Sequence, residues 1–223
     1  MSHAGALAAL LLAVAGPPAR VSFPTEDGGL VYADDYGRGD RGVVLAHGGR
    51  FNKESWQKQA EALMDAGFRA LAIDFRGHGE SRGGPKAKTP YDGVHFDVLA
   101  AVRYLRGTGA RTVSIVGGSF GGGAAADASV VAAPGEIDRM VLLAHSAIEH
   151  PERMKGRKLF ILARDDPSGD GSPRLVRIRK QYEEAPGPKE LVILDGSAHA
   201  QFIFQTEQGE RLMREILRFL SEP

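Results

Sequence analysis

Cysteine is absent from all 223 residues of the chain. Its absence excludes disulfides, metal sites built on thiolates and a cysteine nucleophile. Any catalytic chemistry must therefore come from serine, histidine and carboxylate side chains.

The chain also lacks an excess of charge of either sign, because 28 Lys and Arg residues balance 28 Asp and Glu residues. Nucleic acids and acidic membrane surfaces attract proteins through a field of one sign, and this composition provides none. We expect the partner to be a small neutral molecule rather than a nucleic acid. The composition says nothing about oligomeric state.

The apolar run Ala6–Ala15 has about ten residues, too few for a helix to cross a bilayer core of roughly 30 Å. The small residues before Gly16 resemble the cleavage site of a secretory signal, although no Lys or Arg precedes the run. Residues 1–19 are thus a candidate signal or N-terminal apolar segment, and residues 20–223 are predicted to form one domain. Export is slightly favoured if the run is a signal. The alternative is a short helix packed on the domain of a cytoplasmic protein.

Uniformly apolar strands alternate with amphipathic helices after an initial hairpin, and this pattern predicts a mostly parallel sheet covered by helices on both faces. About fourteen residues separate the predicted strands ending at Ala144 and beginning at Lys158, too few for a helical lid. About eight strands are predicted: Arg20–Thr25, Leu30–Tyr36, Val43–Ala46, Ala70–Asp74, Thr112–Val116, Arg139–Ala144, Lys158–Ala163 and Glu190–Leu194. Helices are predicted at Ser55–Ala66, Val94–Arg106, Phe120–Val131, Pro173–Glu184 and Glu207–Leu220.

Ser119 is the candidate nucleophile, because TVSIVGGSFGGG reads as a buried strand, a G-x-S-x-G turn and the start of a helix. Gly117 and Gly121 occupy positions where a Cβ would collide with a neighbouring strand or helix. The backbone N–H of Phe120 is the first candidate donor to an oxyanion. A second donor is expected in His47-Gly48-Gly49, directly after the strand VVLA, with Gly49 preferred and Arg50 as the alternative. His47 itself is interpreted as a structural histidine.

The base and the acid are expected downstream of Ser119, each after a strand. His199 follows the last strand in a tight loop and is the candidate base. Asp166 is preferred to Asp165 as the acid, with Asp170 and Asp195 as weaker options. His145 and Ser146 follow the preceding strand and are predicted, with Arg50, to line the pocket. Of the other candidates, His150 is interpreted as solvated and Asp97 and Asp127 as ordinary charged positions on helices.

Two further motifs do not indicate a cofactor. His78, in DFRGHGES, has no second histidine at metal-ligand spacing, and its flanking glycines favour a simple turn. No glycine-rich loop followed by lysine is present, and GGSFGGG lacks the acidic residue about 20 positions on that a dinucleotide site requires. We therefore expect neither a metal nor a cofactor.

The chain contains, in this order, the motifs HGG, DFRGHGES, GGSFG, RDDP and GSAHAQ. With these motifs it resembles the α/β-hydrolase superfamily over residues 20–221. It is similar to the small lidless members, including dienelactone-hydrolase-like proteins and short-chain carboxylesterases. The resemblance implies a three-layer fold without a cap domain, a Ser119, Asp166 and His199 triad, and oxyanion donors at Gly49 and Phe120. Dienelactone hydrolases often use cysteine, and dehalogenases and epoxide hydrolases use aspartate, so Ser119 argues against those activities.

The expected activity is hydrolysis of a small carboxylic ester through an acyl-enzyme. A thioesterase, amidase or acyltransferase would use the same three residues. The competing class is a non-catalytic binding protein on the same fold.

Overall fold

The structure is a computed structural model, and it describes residues 16–85, 88 and 92–222. The candidate signal at Ala6–Ala15 lies outside the described residues. The strands are β1 (Ala19–Pro24), β2 (Leu30–Tyr36), β3 (Arg41–Ala46), β4 (Arg69–Ile73), β5 (Thr112–Gly118), β6 (Arg139–Leu143), β7 (Arg157–Ala163) and β8 (Lys189–Leu194). The helices are α1 (Gln57–Asp65), α2 (Val94–Gly107), α3 (Phe120–Val131), α4 (Arg174–Glu184) and α5 (Gly209–Ser221).

All eight strands form one sheet in the order β1-β2-β4-β3-β5-β6-β7-β8. β1 pairs antiparallel with β2, and β2 pairs antiparallel with β4. Every later neighbour is parallel, from the β3 pairs with β4 and β5 through to β7 and β8. The prediction of a mostly parallel eight-stranded sheet that opens on a hairpin is therefore confirmed.

The central strands are apolar because both of their faces are covered. All five residues of β4 are buried, as are the last five residues of β3. In the sheet order, β4 lies on one side of β3, while β5 lies on the other. The β3–β4 and β4–β5 connections therefore run in opposite directions across the sheet. Because such connections are right-handed, they place α1 and α2 on opposite faces of the sheet. Between β6 and β7 the chain forms only the short 3₁₀ segment Pro151–Arg153, and no cap domain is evident among the residues that the structure describes.

The topology brings the predicted site residues to the carboxyl ends of the strands. His47, Ser119, Asp166 and His199 follow β3, β5, β7 and β8 respectively. Since β3 neighbours β5 and β7 neighbours β8, these loops meet at one edge of the sheet. No helix within the described ranges is long and apolar enough to cross a membrane.

Candidate active site

The turn between β5 and α3 holds Ser119 in an unusual backbone conformation. Its φ of 49° and ψ of −110° lie in a region that non-glycine residues rarely adopt. The surroundings fix this conformation, because Ser119 N donates to Leu143 O at 2.8 Å while Ser119 O accepts from Gly123 N and Ser146 N. The side chain is thereby presented above the sheet edge.

Close packing around the turn explains the two glycines that flank Ser119. A Cβ on Gly117 would lie 2.6 Å from Gly121 O, and a Cβ on Gly121 would lie 2.6 Å from His47 O. Carbon atoms do not approach carbonyl oxygens this closely without movement of the backbone. The glycine spacing is therefore required by the contact of α3 with β5 and with the loop after β3.

Ser119, His199 and Asp166 form a continuous hydrogen-bonded chain. His199 Nε2 lies 2.8 Å from Ser119 Oγ, and His199 Nδ1 lies 2.7 Å from Asp166 Oδ2. The side chain of Asp166 is 1% exposed and that of His199 is 30% exposed. The carboxylate is thus shielded from solvent, while the imidazole remains partly accessible. This geometry suits proton transfer from Ser119 to His199.

Asp165 takes a different place although it is adjacent to Asp166. Its side chain is exposed, and its backbone N–H donates to Gly196 O at 3.0 Å. Asp195 lies 3.7 Å from Arg164 at the surface, and Asp170 accepts hydrogen bonds from Ser172. Among the acids weighed from the sequence, the structure brings only Asp166 to His199.

Arg174, at the start of α4, braces the loop that carries Asp166. Its Nε lies 3.0 Å from Asp166 Oδ2, its backbone N–H donates to Asp166 O at 3.1 Å, and its Nη2 donates to Pro167 O at 3.0 Å. Nothing in the sequence distinguishes Arg174, since a basic residue at the start of a helix has no characteristic signature.

The loop after β3 that carries the predicted oxyanion donor, residues His47 to Gly49 and called the oxyanion loop below, is held by hydrogen bonds to its backbone. Gly48 O accepts from His47 Nδ1 and from Phe51 N, each at 2.9 Å. The Gly48–Gly49 peptide is trans, so the N–H of Gly49 points opposite to the fixed carbonyl. Gly49 also lines the cavity beside Ser119 and Phe120.

His47 contributes to this arrangement as a buried neutral imidazole. Phe75 N donates to its Nε2 at 3.3 Å, which leaves the proton on Nδ1 for the bond to Gly48 O. Burial lowers the pKa of His47 to about 4, so the ring is neutral near pH 7. The structure agrees with the interpretation of His47 as a structural histidine.

A cavity of about 470 Å³ opens in front of Ser119. Phe51 and Phe202 form one wall, with ring centroids 4.9 Å apart, and the exposed Arg50 lies at the rim. The remaining lining comes from the oxyanion loop, the start of α3 and the loops after β7 and β8: Gly48, Gly49, Ser119, Phe120, Asp166, Pro167, Ser168, Gly169, Arg174, Ser197, His199 and Ala200.

His145 and Ser146 were predicted to line the pocket, but the structure places neither of them in the wall of this cavity. His145 is fully buried beneath α4, where its Nε2 lies 2.9 Å from Gln181 Oε1. Ser146 N donates to Ser119 O at 2.9 Å. His150 is exposed, as expected of a solvated residue.

Asp97 also differs from its interpretation as an ordinary charged position. It is fully buried, and it accepts hydrogen bonds from the backbone and the guanidinium of Arg76. Arg76, also fully buried, pairs in addition with Asp27. The DFRGHGES motif therefore ties the loop after β4 to α2 and to the β1–β2 turn.

Buried His145 should make the protein less stable in mild acid. Burial, and secondarily the nearby Arg177, lower the pKa of His145 to about 3. Between about pH 6.5 and pH 3 the unfolded chain binds a proton at this position that the folded chain excludes, so stability falls as the pH falls. From pH 7 to pH 5 the expected loss from this histidine is about 2 kcal/mol.

The measurement is urea unfolding of wild type and His145→Gln at both pH values. A glutamine amide can still donate to Gln181 but does not titrate. The free energy of unfolding should drop by about 2 kcal/mol less in the variant over this interval. Equal drops in the two proteins would contradict the prediction.

A model of the alpha/beta hydrolase fold family matches residues 42–168 of the chain. Among curated relatives, a non-heme chloroperoxidase of Kitasatospora aureofaciens is 41% identical over 102 residues, covering 44% of this chain and 34% of that protein. A bifunctional esterase/perhydrolase of Acinetobacter calcoaceticus is 35% identical over 102 residues, covering 44% of this chain and 35% of that protein. The chain thus spans about a third of the length of these two relatives.

Solved structures match over almost the whole chain. An esterase of Pyrococcus furiosus superposes with a TM-score of 0.74 at 19% identity, covering 92% of this chain and 91% of that one. A bromoperoxidase of Bacillus anthracis also reaches a TM-score of 0.74, at 17% identity, with 92% and 100% covered. The specific likeness to dienelactone hydrolases stays a prediction. On the family match and the shared architecture, the chain belongs to the α/β-hydrolase fold family.

Proposed function

We propose that the protein is a serine hydrolase that cleaves small carboxylic esters through an acyl-enzyme. The observation that carries the proposal is the unbroken chain from Ser119 Oγ through His199 to Asp166, at 2.8 and 2.7 Å, beside an open cavity. Esterases among the structures with the same fold support a hydrolytic role.

In the proposed reaction, His199 Nε2 accepts the proton of Ser119 as Oγ attacks the ester carbonyl carbon. The backbone N–H groups of Gly49 and Phe120 stabilise the oxyanion of the tetrahedral intermediate. His199 then protonates the departing alcohol, and Asp166 stabilises the imidazolium in between. A water molecule, activated by His199, attacks the acyl-enzyme and releases the acid with Ser119 restored.

Small acyl groups are the proposed substrates, because the described residues form no cap and the aromatic wall at Phe51 and Phe202 is short. We expect kcat/KM for p-nitrophenyl dodecanoate not to exceed that for the acetate or butyrate, since added methylenes would remain in water and gain no binding energy. Hydrolysis rates of the acetate, butyrate and dodecanoate esters, each measured below its critical micelle concentration, test this expectation. A preference for the long chain would contradict it.

Two assays on the wild-type protein distinguish the proposed enzyme from a non-catalytic binding protein. A fluorophosphonate probe reacts only with an activated serine, so wild type should be labelled and should hydrolyse p-nitrophenyl acetate. If wild type is unlabelled and inert towards esters and thioesters, the binding protein becomes the better explanation.

A second candidate reaction is perhydrolysis, favoured by similarity to the bifunctional esterase/perhydrolase and to non-heme haloperoxidases. Here hydrogen peroxide would replace water as the nucleophile on the acyl-enzyme. His199 would accept its proton, and a peracid would leave as Ser119 is regenerated. Peracid formation from an ester and hydrogen peroxide, compared with ester hydrolysis alone, measures how the acyl-enzyme partitions.

A further inference from the structure

Gln201 joins the loop of the candidate base to the oxyanion loop. It lies two residues after His199, in the 3₁₀ segment Ala200–Gln205, and is only 4% exposed despite its polar side chain. A Cβ on Gly118 would approach its Cγ to 3.2 Å, and a Cβ on Gly48 would approach its Oε1 to 3.3 Å. The side chain therefore fills the space between the end of β5 and the oxyanion loop.

Both ends of the Gln201 amide are engaged, which fixes its orientation. Oε1 accepts from Gly48 N at 2.6 Å, while Nε2 donates to Ser55 Oγ at 3.0 Å. Ser55 Oγ in turn donates to Asn52 O at 2.5 Å, so its lone pairs face the amide. A flipped amide would place its NH₂ against the Gly48 N–H, two donors facing each other.

The hydrogen bond from Gly48 N to Gln201 is important because Gly48 directly precedes Gly49, the candidate oxyanion donor. Gln201 holds the N–H of Gly48, while His47 Nδ1 and Phe51 N hold its carbonyl. The two peptide planes that meet at Gly48 are thus fixed, and the second plane carries the N–H of Gly49. With glycine at both positions, the backbone has little conformational preference of its own and depends on these bonds.

We propose that Gln201 is a positioning residue for the oxyanion hole, which holds the Gly49 N–H in the direction that the tetrahedral intermediate requires. The inference rests on the proposed function. Oxyanion donors act through preorganisation, and displacement of a group near the reacting centre by about 1 Å can lower the rate 100-fold. Loss of the Gln201 bond should therefore weaken binding of the transition state more than binding of the ester.

The test compares Gln201→Met, which keeps the volume but neither hydrogen bond, with Ser55→Ala, which frees only the Nε2 end. The readouts are kcat/KM on p-nitrophenyl butyrate, the Ki of a trifluoromethyl ketone that forms a hemiketal with serine, and the Ki of the methyl ketone of the same skeleton. For Gln201→Met, kcat/KM should fall about 10- to 100-fold, and the affinity for the trifluoromethyl ketone should fall by a similar factor. Binding of the methyl ketone should stay within about twofold of wild type.

Ser55→Ala should give the same pattern with a smaller loss, because the Gly48 bond remains. If Gln201→Met does not fold, Gln201→Leu, which also removes the acceptor for Gly48 N, takes its place, and unchanged values for kcat/KM and the trifluoromethyl ketone overturn the inference. Equal weakening of both ketones also overturns it, since that pattern indicates a distorted pocket. An active wild type with an equally active Gln201→Met variant overturns this inference only, whereas a wild type that forms no acyl-enzyme overturns the proposed function as well.

Discussion

Ser119→Ala is expected to lower kcat for ester hydrolysis by about 10⁵- to 10⁶-fold and to abolish labelling by a fluorophosphonate probe. Ser119 Oγ is 2.8 Å from His199 Nε2, and the described part of the cavity wall offers no other hydroxyl at hydrogen-bond distance from that nitrogen. The remaining rate would come from the oxyanion donors and from binding alone. Steady-state kinetics and gel-based labelling measure the two effects.

The variant should remain folded, so the loss can be assigned to chemistry. Alanine meets the same backbone strain as serine at a φ of 49°, and the bonds of Ser119 N and O to its neighbours involve only the main chain. Ser146→Ala is the matched control, because Ser146 bonds to Ser119 O through its backbone and its hydroxyl lies outside the cavity wall. Retained labelling of Ser119→Ala, with an unchanged melting temperature, would show that another residue is the nucleophile.

Features that depend on neighbouring residues could be predicted from the sequence. The apolar strands and helical periodicities gave the sheet and its covering helices, since each signal is contained in one short segment. The turn at Ser119 was recognisable for the same reason, as its glycines lie within two positions of the serine. Chain order then indicated His199 and Asp166, which the structure brings within hydrogen-bond distance of each other.

Features that depend on distant partners could not be predicted. Asp97 looks like a solvated helix residue, but Arg76, 21 positions earlier, reaches it inside the protein. The strand before His145 was recognised, yet nothing in the strand shows that the imidazole turns beneath α4 towards Gln181. Gln201 and Gly48 are 153 positions apart, and a buried amide has no periodic signature. Such pairs become visible only when the fold brings distant segments of the chain together.

The adjacent acids Asp165 and Asp166 allow a direct test of which one supports the base. Asp166→Asn is expected to lower kcat about 10³- to 10⁴-fold, because a neutral amide does not stabilise the imidazolium and can reverse the hydrogen bond to Nδ1. Asp165→Asn should stay within a few-fold of wild type, since its carboxylate is exposed and its loop is held by the backbone bond to Gly196. Both variants remove one charge, so a general electrostatic effect would appear in both.

The positive charge of Arg174 provides a second test of the role of Asp166. In wild type its Nε lies 3.0 Å from the Asp166 oxygen that also faces His199, so Asp166→Asn leaves a guanidinium beside a neutral amide and an imidazole. That charge opposes the formation of imidazolium, which adds to the loss in kcat. The double variant Asp166→Asn/Arg174→Gln should therefore recover part of the activity of the single variant when kcat is measured on p-nitrophenyl butyrate. A larger loss in Asp165→Asn than in Asp166→Asn would assign the acid to Asp165 and contradict the proposed triad.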